Sequence, residues 1–201
     1  MSFSRDFLAH CAKVIETIDA DALESAAQHL AKVRDREGRL FIIGSGGGAG
    51  HASHATCDFR KICNIETYAP YDNVSELTAR VNDEGWDTTL SNWLKVSRLS
   101  SRDGLLVFSV GGGSTERNIS PNLVNAVAFA KERGATIVGI VGKDGGYTAR
   151  EADAAIIIPP VESNLVTPLT EGFQAVMWHL LVSHPLLQVN AAKWESETLK
   201  A

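Results

Sequence analysis

The chain has 201 residues, of which 44% are hydrophobic and 21% charged, and its net charge is −5. This composition is typical of a folded globular domain and excludes a disordered tail or linker. The acidic balance argues against a nucleic-acid partner, because phosphate backbones are bound by basic faces. No apolar run approaches the roughly 20 residues of a membrane span, and the first residues lack the apolar region of a signal peptide. Because the three cysteines (Cys11, Cys57 and Cys63) lack paired spacing, we expect a reduced, cytoplasmic protein without membrane contact.

The first 37 residues carry two helical patterns. Apolar side chains recur at helical spacing over residues 3–18. A second helix is predicted to begin after Asp19 or Asp21 and to end at Gly38. Since each helix has one apolar stripe, residues 1–37 are predicted to form an oligomerisation appendage that packs on another subunit, followed by one domain over residues 38–201.

Short apolar runs then alternate with helical stretches. Strands are predicted at residues 39–43, 104–109, 135–141 and 154–158, with an edge strand near 68–70, and helices at 51–63, 120–133 and 167–182. Strands that are apolar throughout and alternate with helices indicate an α/β fold, a doubly wound parallel sheet of the Rossmann-like or flavodoxin-like type. Its strand-to-helix loops meet at one edge of the sheet, where we expect the ligand.

Two of these loops are rich in glycine. Residues 44–50 follow the first strand, and residues 109–115 combine glycine with Ser109, Ser114 and Thr115. Glycine lets a backbone approach an anion, and a helix start offers free N–H groups. The first loop lacks the lysine of a nucleotide phosphate loop, and a dinucleotide would need an acidic partner for which only Glu66 is available. Two such loops favour a bound monophosphate; the alternative is that both are tight turns.

Several motifs occur together in a characteristic order. They are Gly44–Gly48, the His54 and Asp58 pair, Asp72–Ser75, Val81–Gly85, Ser109–Ser114, Val141–Gly146, and the Glu171 and His179 pair. In this order and spacing the chain resembles the sugar isomerase (SIS) domain family, most closely the phosphoheptose isomerases. The resemblance covers essentially the whole chain.

The chain also departs from the pattern of that family. Ser45 stands in place of asparagine, Gly48 in place of serine, Asp58 in place of glutamate, and Glu171 in place of glutamine. Residues 115–122 resemble an insertion. These differences indicate a divergent branch, and they leave the substrate more open than the fold.

The resemblance implies a metal-assisted aldose–ketose isomerase, a phosphoheptose isomerase that converts sedoheptulose 7-phosphate to D-glycero-D-manno-heptose 7-phosphate through an enediol. The implied zinc ligands are His54, Asp58, Glu171 and His179, with Asp58 and His179 as the acid–base pair. The i, i+4 spacing independently places His54 and Asp58 on one helix face. Nickel, iron or manganese stays open as the metal. It also stays open whether Asp58 is only a metal ligand, and whether Glu171 or Gln174 faces the site.

The remaining expectations concern the substrate and the assembly. The residues expected to bind the sugar phosphate are Ser45, Gly46, Gly47, Gly48, His51, Asp83, Ser109, Gly111, Gly112, Gly113, Ser114 and Thr115. The resemblance implies a homotetramer with active sites at subunit boundaries. The alternative functions are a non-catalytic phosphosugar-binding or regulatory protein and an isomerase for another sugar phosphate.

Overall fold

The computed structural model describes residues 2–191, so residues 192–201 of the predicted domain lie outside the described part. The strands are β1 (Leu40–Gly44), β2 (Thr67–Tyr68), β3 (Gly104–Ser109), β4 (Thr136–Gly142) and β5 (Ala154–Ile158). The helices are α1 (Phe3–Thr17), α2 (Ala20–Asp35), α3 (Gly47–Lys61), α4 (Val74–Glu84), α5 (Thr89–Val96), α6 (Pro121–Glu132), α7 (Gly146–Glu151) and α8 (Val166–Ser183). Short 3-10 turns cover Trp86–Thr88 and Ser163–Leu165.

The strands form one parallel sheet in the order β2-β1-β3-β4-β5. Leu40 of β1 lies beside Gly104 of β3, which in turn lies beside Thr136 of β4. The predicted doubly wound α/β fold is therefore confirmed. In this strand order the chain turns in opposite directions after β1 and β3, and the crevice between their carboxyl ends is where such folds bind ligands.

Both faces of the sheet are covered, and this explains the uniformly apolar strands. Alternate side chains face the cluster formed with α2, α3 and α8; they are Leu40, Ile42, Leu106, Phe108, Val138 and Ile140. The intervening ones face the cluster formed with α5 and α6; they are Phe41, Ile43, Leu105, Val107 and Ile137. Successive side chains of a strand point to opposite faces, so a strand buried on both sides reads as an apolar run.

The two predicted N-terminal helices are present, but they differ in how they are buried. Asp19 caps α2 by accepting hydrogen bonds from the N–H groups of Asp21 and Ala22, and α2 packs against β4 and β5. In α1 only Val14 is buried. Thus α2 belongs to the helical layer over the sheet, whereas α1 leaves an apolar surface uncovered. The boundary at residue 37 and the oligomerisation role stay predictions.

Three helices were not expected from the sequence, and a fourth begins earlier than expected. Helix α4 has Val74, Leu77 and Val81 at helical spacing, although none of its residues is buried, and residues 72–85 were assigned to family motifs instead of a helix. Helices α5 and α7 are short, with eight and six residues. The helix predicted from His51 begins at Gly47 instead. Glycines there suggested a loop, but Gly48 is required by packing, because a Cβ on it would lie 2.8 Å from the Phe108 carbonyl oxygen.

Among residues 2–191, the helices are all too short or too polar to cross a membrane. Cys11, Cys57 and Cys63 are free thiols. Burial raises the pKa of the Cys63 thiol to about 12, so that side chain acts as an inert part of the core.

Candidate active site

The two glycine loops meet at the crevice between β1 and β3. Ser45 follows β1, and its Oγ accepts a hydrogen bond of 3.1 Å from Nδ2 of Asn122, in the first turn of α6. The Tyr71 hydroxyl donates to the Gly44 carbonyl oxygen and accepts from the Gly44 N–H. These bonds place the first loop beside the start of α6, at the edge where the topology predicts a ligand.

In the second loop, part of the glycine content serves packing. The Ser109 Oγ accepts from the Gly112 N–H at 3.0 Å. Gly112 has a φ of +69°, and a Cβ on it would overlap the Gly145 carbonyl oxygen. The Gly113 carbonyl oxygen accepts from the N–H of Tyr147. Gly112 and Gly113 are buried, whereas Gly111 is partly exposed, so Gly111 offers the accessible backbone of the predicted phosphate-binding set.

The predicted insertion forms a small hairpin. Ser114 and Ile119 exchange two backbone hydrogen bonds of 3.0 Å, and Thr115 is exposed between them. The Ser114 hydroxyl donates to the Glu116 carboxylate. Helix α6 begins only after this hairpin, with Ser120 at its N-cap. Ser114 and Thr115, which are predicted to bind the phosphate, thus lie in the hairpin, and Ser120 stands at the helix start that the sequence predicts near residue 120.

Three of the four predicted metal ligands converge between α3 and α8. His54, Asp58 and His179 each offer one ligand atom, and these atoms lie within 4.8 Å of one another. Nε2 of His54 is 3.9 Å and Nε2 of His179 is 4.0 Å from Oδ2 of Asp58. The Asp58 side chain is only 15% exposed, whereas those of the histidines are 63% and 45% exposed. The carboxylate therefore forms the floor of a cluster that opens to solvent.

The hydrogen bonding of His179 determines its tautomer. Its Nδ1 lies 2.7 Å from the Ala175 carbonyl oxygen, and a carbonyl only accepts, so Nδ1 carries the proton. Nε2 is left with its lone pair directed to the cluster. The Trp178 ring stacks on His179 and meets the edge of His54 at 4.8 Å. Two imidazoles and one carboxylate with this tautomer form a nitrogen–oxygen donor set that fits zinc.

Glu171 occupies a neighbouring position rather than the cluster itself. A Cβ placed on Gly47 would lie 2.6 Å from the Glu171 carboxyl carbon, so this carboxylate lies against the first turn of α3. Gln174 is fully buried and donates from Nε2 to the Ile140 carbonyl oxygen at 3.0 Å. Of the two residues that the sequence left open, Glu171 is therefore the one that faces α3.

His51 lies in the first turns of α3, between the loop and the cluster. Its ring is 5.8 Å from that of Phe108. Burial lowers the pKa of His51, and a hydrogen bond to the Glu171 backbone and the Glu171 charge offset only part of this. Burial therefore favours the neutral form of the ring. Asp83, by contrast, is exposed on α4 and accepts a hydrogen bond from Asn82. Within residues 2–191 of a single chain it makes no hydrogen bond to a residue of the crevice.

Two residues of the crevice, Ser120 and Asn122, were absent from the predicted set. A usable signal existed, since serine followed by proline is typical of an N-cap and first helical position, and Pro121 holds that position. The side-chain contact of Asn122 with Ser45 joins positions 77 residues apart, and no local pattern reports such a contact.

The geometry defines a class of protein: a parallel α/β domain with a ligand crevice at its topological switch point and an imidazole–carboxylate cluster beside it. The chain belongs to the SIS domain family, whose model matches residues 2–142. Lincomycin biosynthesis protein LmbN from Streptomyces lincolnensis is 32% identical over 201 residues, covering 95% of this chain and 70% of that protein. A phosphoheptose isomerase from Aliarcobacter butzleri is 28% identical, covering 92% and 93% of the two chains.

Solved structures show the same fold. Phosphoheptose isomerase GmhA from Neisseria gonorrhoeae superposes with a TM-score of 0.75 at 23% identity, covering 90% of this chain and 98% of that chain. A phosphoheptose isomerase from Francisella tularensis gives a TM-score of 0.73 at 19% identity, covering 91% and 97%. At these identities the structures support the architecture, while the chemistry has to be argued from the site.

Proposed function

We propose that this chain is an aldose–ketose isomerase of sugar phosphates, with sedoheptulose 7-phosphate as the ketose and D-glycero-D-manno-heptose 7-phosphate as the aldose. The observation that carries the proposal is the convergence of His54 and Asp58, on the helix that follows the first glycine loop, with His179 of α8. The names of several relatives, phosphoheptose isomerases among them, support the same reaction.

The phosphate would be held at the crevice. Helix α6 begins there with Ser120 at its N-cap, and the dipole of a helix favours an anion at its start. Pro121 has no N–H, and the N–H groups of Leu123 and Val124 bond to the Ser120 carbonyl oxygen, so α6 contributes its dipole more than its backbone donors. The Ser45 hydroxyl and the accessible backbone of Gly111 add further donors. Glu171 has already placed a carboxylate against the start of α3, so the start of α6 is the more favourable place for the phosphate.

The reaction moves a proton between neighbouring carbons of the sugar and needs a general base. Asp58 is our candidate, because its carboxylate is largely buried between the two imidazoles. A carboxylate has two oxygens, so one oxygen of Asp58 is able to take the carbon proton while the other stays bound in the cluster. The neutral ring of His51 lies on the same helix and is suited to hydrogen-bond the sugar.

A divalent metal, for which zinc is the proposed identity, would be held by His54, Asp58 and His179. Glu171 lies beside this cluster, against the first turn of α3, and is the proposed fourth ligand. When bound, it would polarise the carbonyl oxygen of the sugar and stabilise the negative charge of the enediolate. Because Nδ1 of His179 is occupied by Ala175, only Nε2 is available. The ligand role and the acid–base role of His179 therefore exclude one another, and we assign it the ligand role in the loaded protein.

The proposal is tested by following ketose-to-aldose conversion with purified protein and a panel of pentose, hexose and heptose phosphates. Asp58→Asn and His179→Ala are each expected to lower kcat by at least about 100-fold, and His179→Ala also to lower the content of bound metal. His10→Ala, on α1, is the matched control and should leave kcat unchanged. Undiminished turnover in His179→Ala would end the assignment, and phosphosugar binding without turnover in the unmodified protein would favour a non-catalytic binding role.

A further inference from the structure

Asn122 is a buried polar residue whose hydrogen bonding is incomplete. Its side chain is 1% exposed, and Nδ2 donates to the Ser45 Oγ at 3.1 Å. Its Oδ1 is also buried and has no hydrogen-bond partner within residues 2–191. A buried amide oxygen without a partner destabilises a fold, whereas an apolar side chain of similar size would fill the same space without that cost. Stability therefore does not explain asparagine here.

The bond from Asn122 does have a consequence for Ser45. A hydroxyl group has one proton to donate and lone pairs that accept. Asn122 occupies a lone pair of the Ser45 Oγ, and within residues 2–191 the Ser45 proton has no acceptor that we can identify. The half-buried Ser45 is thus presented to the crevice as a donor.

The backbone around Ser45 is held in place as well. Its carbonyl oxygen accepts from the Gly48 N–H at 3.1 Å, and Tyr71 holds the preceding Gly44. These bonds fix the backbone of Ser45, and Asn122 fixes its Oγ. Only the direction of the hydroxyl proton is then free to change. A ligand oxygen that only accepts, such as that of a phosphate, satisfies it.

We propose that Asn122 is a positioning residue for the ligand: by donating to Ser45 it holds the Ser45 oxygen in place, so that the hydroxyl proton is directed to a phosphate oxygen at the start of α6. The proposal rests on the proposed function for the location of the phosphate. It adds a specific link between the two glycine loops, because Asn122 of α6, which follows the second loop, orients Ser45 of the first loop toward an anion.

The test is a double-mutant cycle measured with inorganic phosphate as the probe, by isothermal titration calorimetry. Ser45→Ala and Asn122→Leu are each expected to raise the Kd for phosphate about tenfold, since a hydrogen bond to a charged group is lost in both. The double variant should bind no more weakly than either single variant, because both changes remove one interaction. Additive losses, or an unchanged Kd in Asn122→Leu, would overturn the proposal.

Thermal unfolding separates this role from a structural one. Asn122→Leu removes the unpartnered oxygen, so its Tm should be equal to or higher than that of the unmodified protein while phosphate binding falls. A purely structural Asn122 would show a lower Tm with the same Kd. Glu132→Leu, at an exposed position on the same helix, is the control and should alter neither. If Asn122→Leu does not fold, Asn122→Ala replaces it in the cycle.

A further variant reverses the proposed hydrogen bond. In Asn122→Asp the new carboxylate accepts the Ser45 proton, so phosphate binding should weaken by more than in Ser45→Ala. Binding equal to that of the unmodified protein would contradict the proposal. Failure of the proposed function is distinguishable: phosphate bound normally without isomerisation of any sugar phosphate removes the enzyme but leaves the link, whereas absence of phosphate binding in the unmodified protein removes the link.

Discussion

The first turn of α3 shows how single residues arrange the groups at the crevice. Gly47 leaves room for the Glu171 carboxylate, and Gly48 lets the helix approach β3 at Phe108. Glu171 in turn raises the pKa of His51 through its backbone and its charge, against the larger effect of burial. Small residues at these positions allow side chains of α8 to reach the start of α3. Glycines that serve such packing give the same sequence pattern as the glycines of an anion-binding loop.

Substitutions of two glycines in α3 test this packing. Gly47→Ala places a Cβ 2.6 Å from the Glu171 carboxyl carbon and must displace that carboxylate, so we expect kcat to fall about tenfold if Glu171 is a ligand whose loss costs metal affinity. Gly50→Ala is the matched control, because a Cβ there meets nothing within 4 Å. It should stabilise the protein by about 0.5–1 kcal/mol through helix propensity alone. Equal activity in the two variants would argue against a role for Glu171.

Among the elements, β1 and β3 are joined at their amino ends by one ion pair. Asp103 is 2% exposed and accepts hydrogen bonds from Arg39, including one of 2.9 Å from Nη2. It also accepts from the N–H and hydroxyl of Ser100. Burial raises the pKa of the Asp103 carboxyl, but the hydrogen bonds from Arg39 and Ser100 outweigh it and hold the pKa below 3.8. This pair lies at the opposite edge of the sheet from the crevice, so its role is in stability.

Removal of this charge should destabilise the protein without touching the site. Asp103→Asn leaves Arg39 without its partner, and we expect a loss of about 3 kcal/mol in the free energy of unfolding at pH 7, measured by urea denaturation. A carboxyl whose pKa is lowered by folding contributes stability above its unfolded pKa. That stability is lost as pH falls through the folded value.

The difference between wild type and variant should therefore be constant above about pH 5 and shrink below pH 3.8. Asp87→Asn, at an exposed position, serves as the control and should show no such difference. A gap that stays the same down to pH 3 would contradict the assignment of the stabilisation to the Asp103 charge.

At the scale of the whole molecule, α1 has an apolar surface that one chain does not cover. Leu8 and Ile15 are 66% and 64% exposed, and with Ala12 they follow one another at helical spacing. Large exposed apolar side chains in a row are typical of a protein–protein interface. We propose that this stripe contributes to the contacts of a homotetramer, the assembly that the family resemblance implied.

Light scattering tests the assembly. Leu8→Asp introduces a charge into the stripe and is expected to reduce the mass in solution from that of a tetramer to that of a dimer or monomer. Lys13→Asp introduces the same side chain on another face of α1 and should leave the mass unchanged. A tetramer that survives Leu8→Asp would place the interface elsewhere, and a monomeric unmodified protein with full activity would remove the proposed assembly altogether.

The fold could be predicted from the sequence wherever a helix or strand carries a hydrophobic pattern of its own. Buried strands are uniformly apolar, and α2 and α8 have apolar sequences of helical length, so the parallel α/β sheet followed from their alternation. Helix α4 does carry apolar residues at helical spacing, but they remain unburied in the chain, and the prediction passed over it. The start of α3 was predicted at His51 instead of Gly47. Glycine indicates a loop unless the close approach of a neighbouring strand is known.

The same division applies to the site. Residues on one helix turn obey the helical period, so His54 and Asp58 were placed together from their spacing alone. Their meeting with His179, the choice of Glu171 over Gln174, and the bond between Asn122 and Ser45 each join segments that are distant in the chain. Such contacts depend on how the helices and loops pack across the sheet, and those relations are set by the packed core rather than by the local sequence.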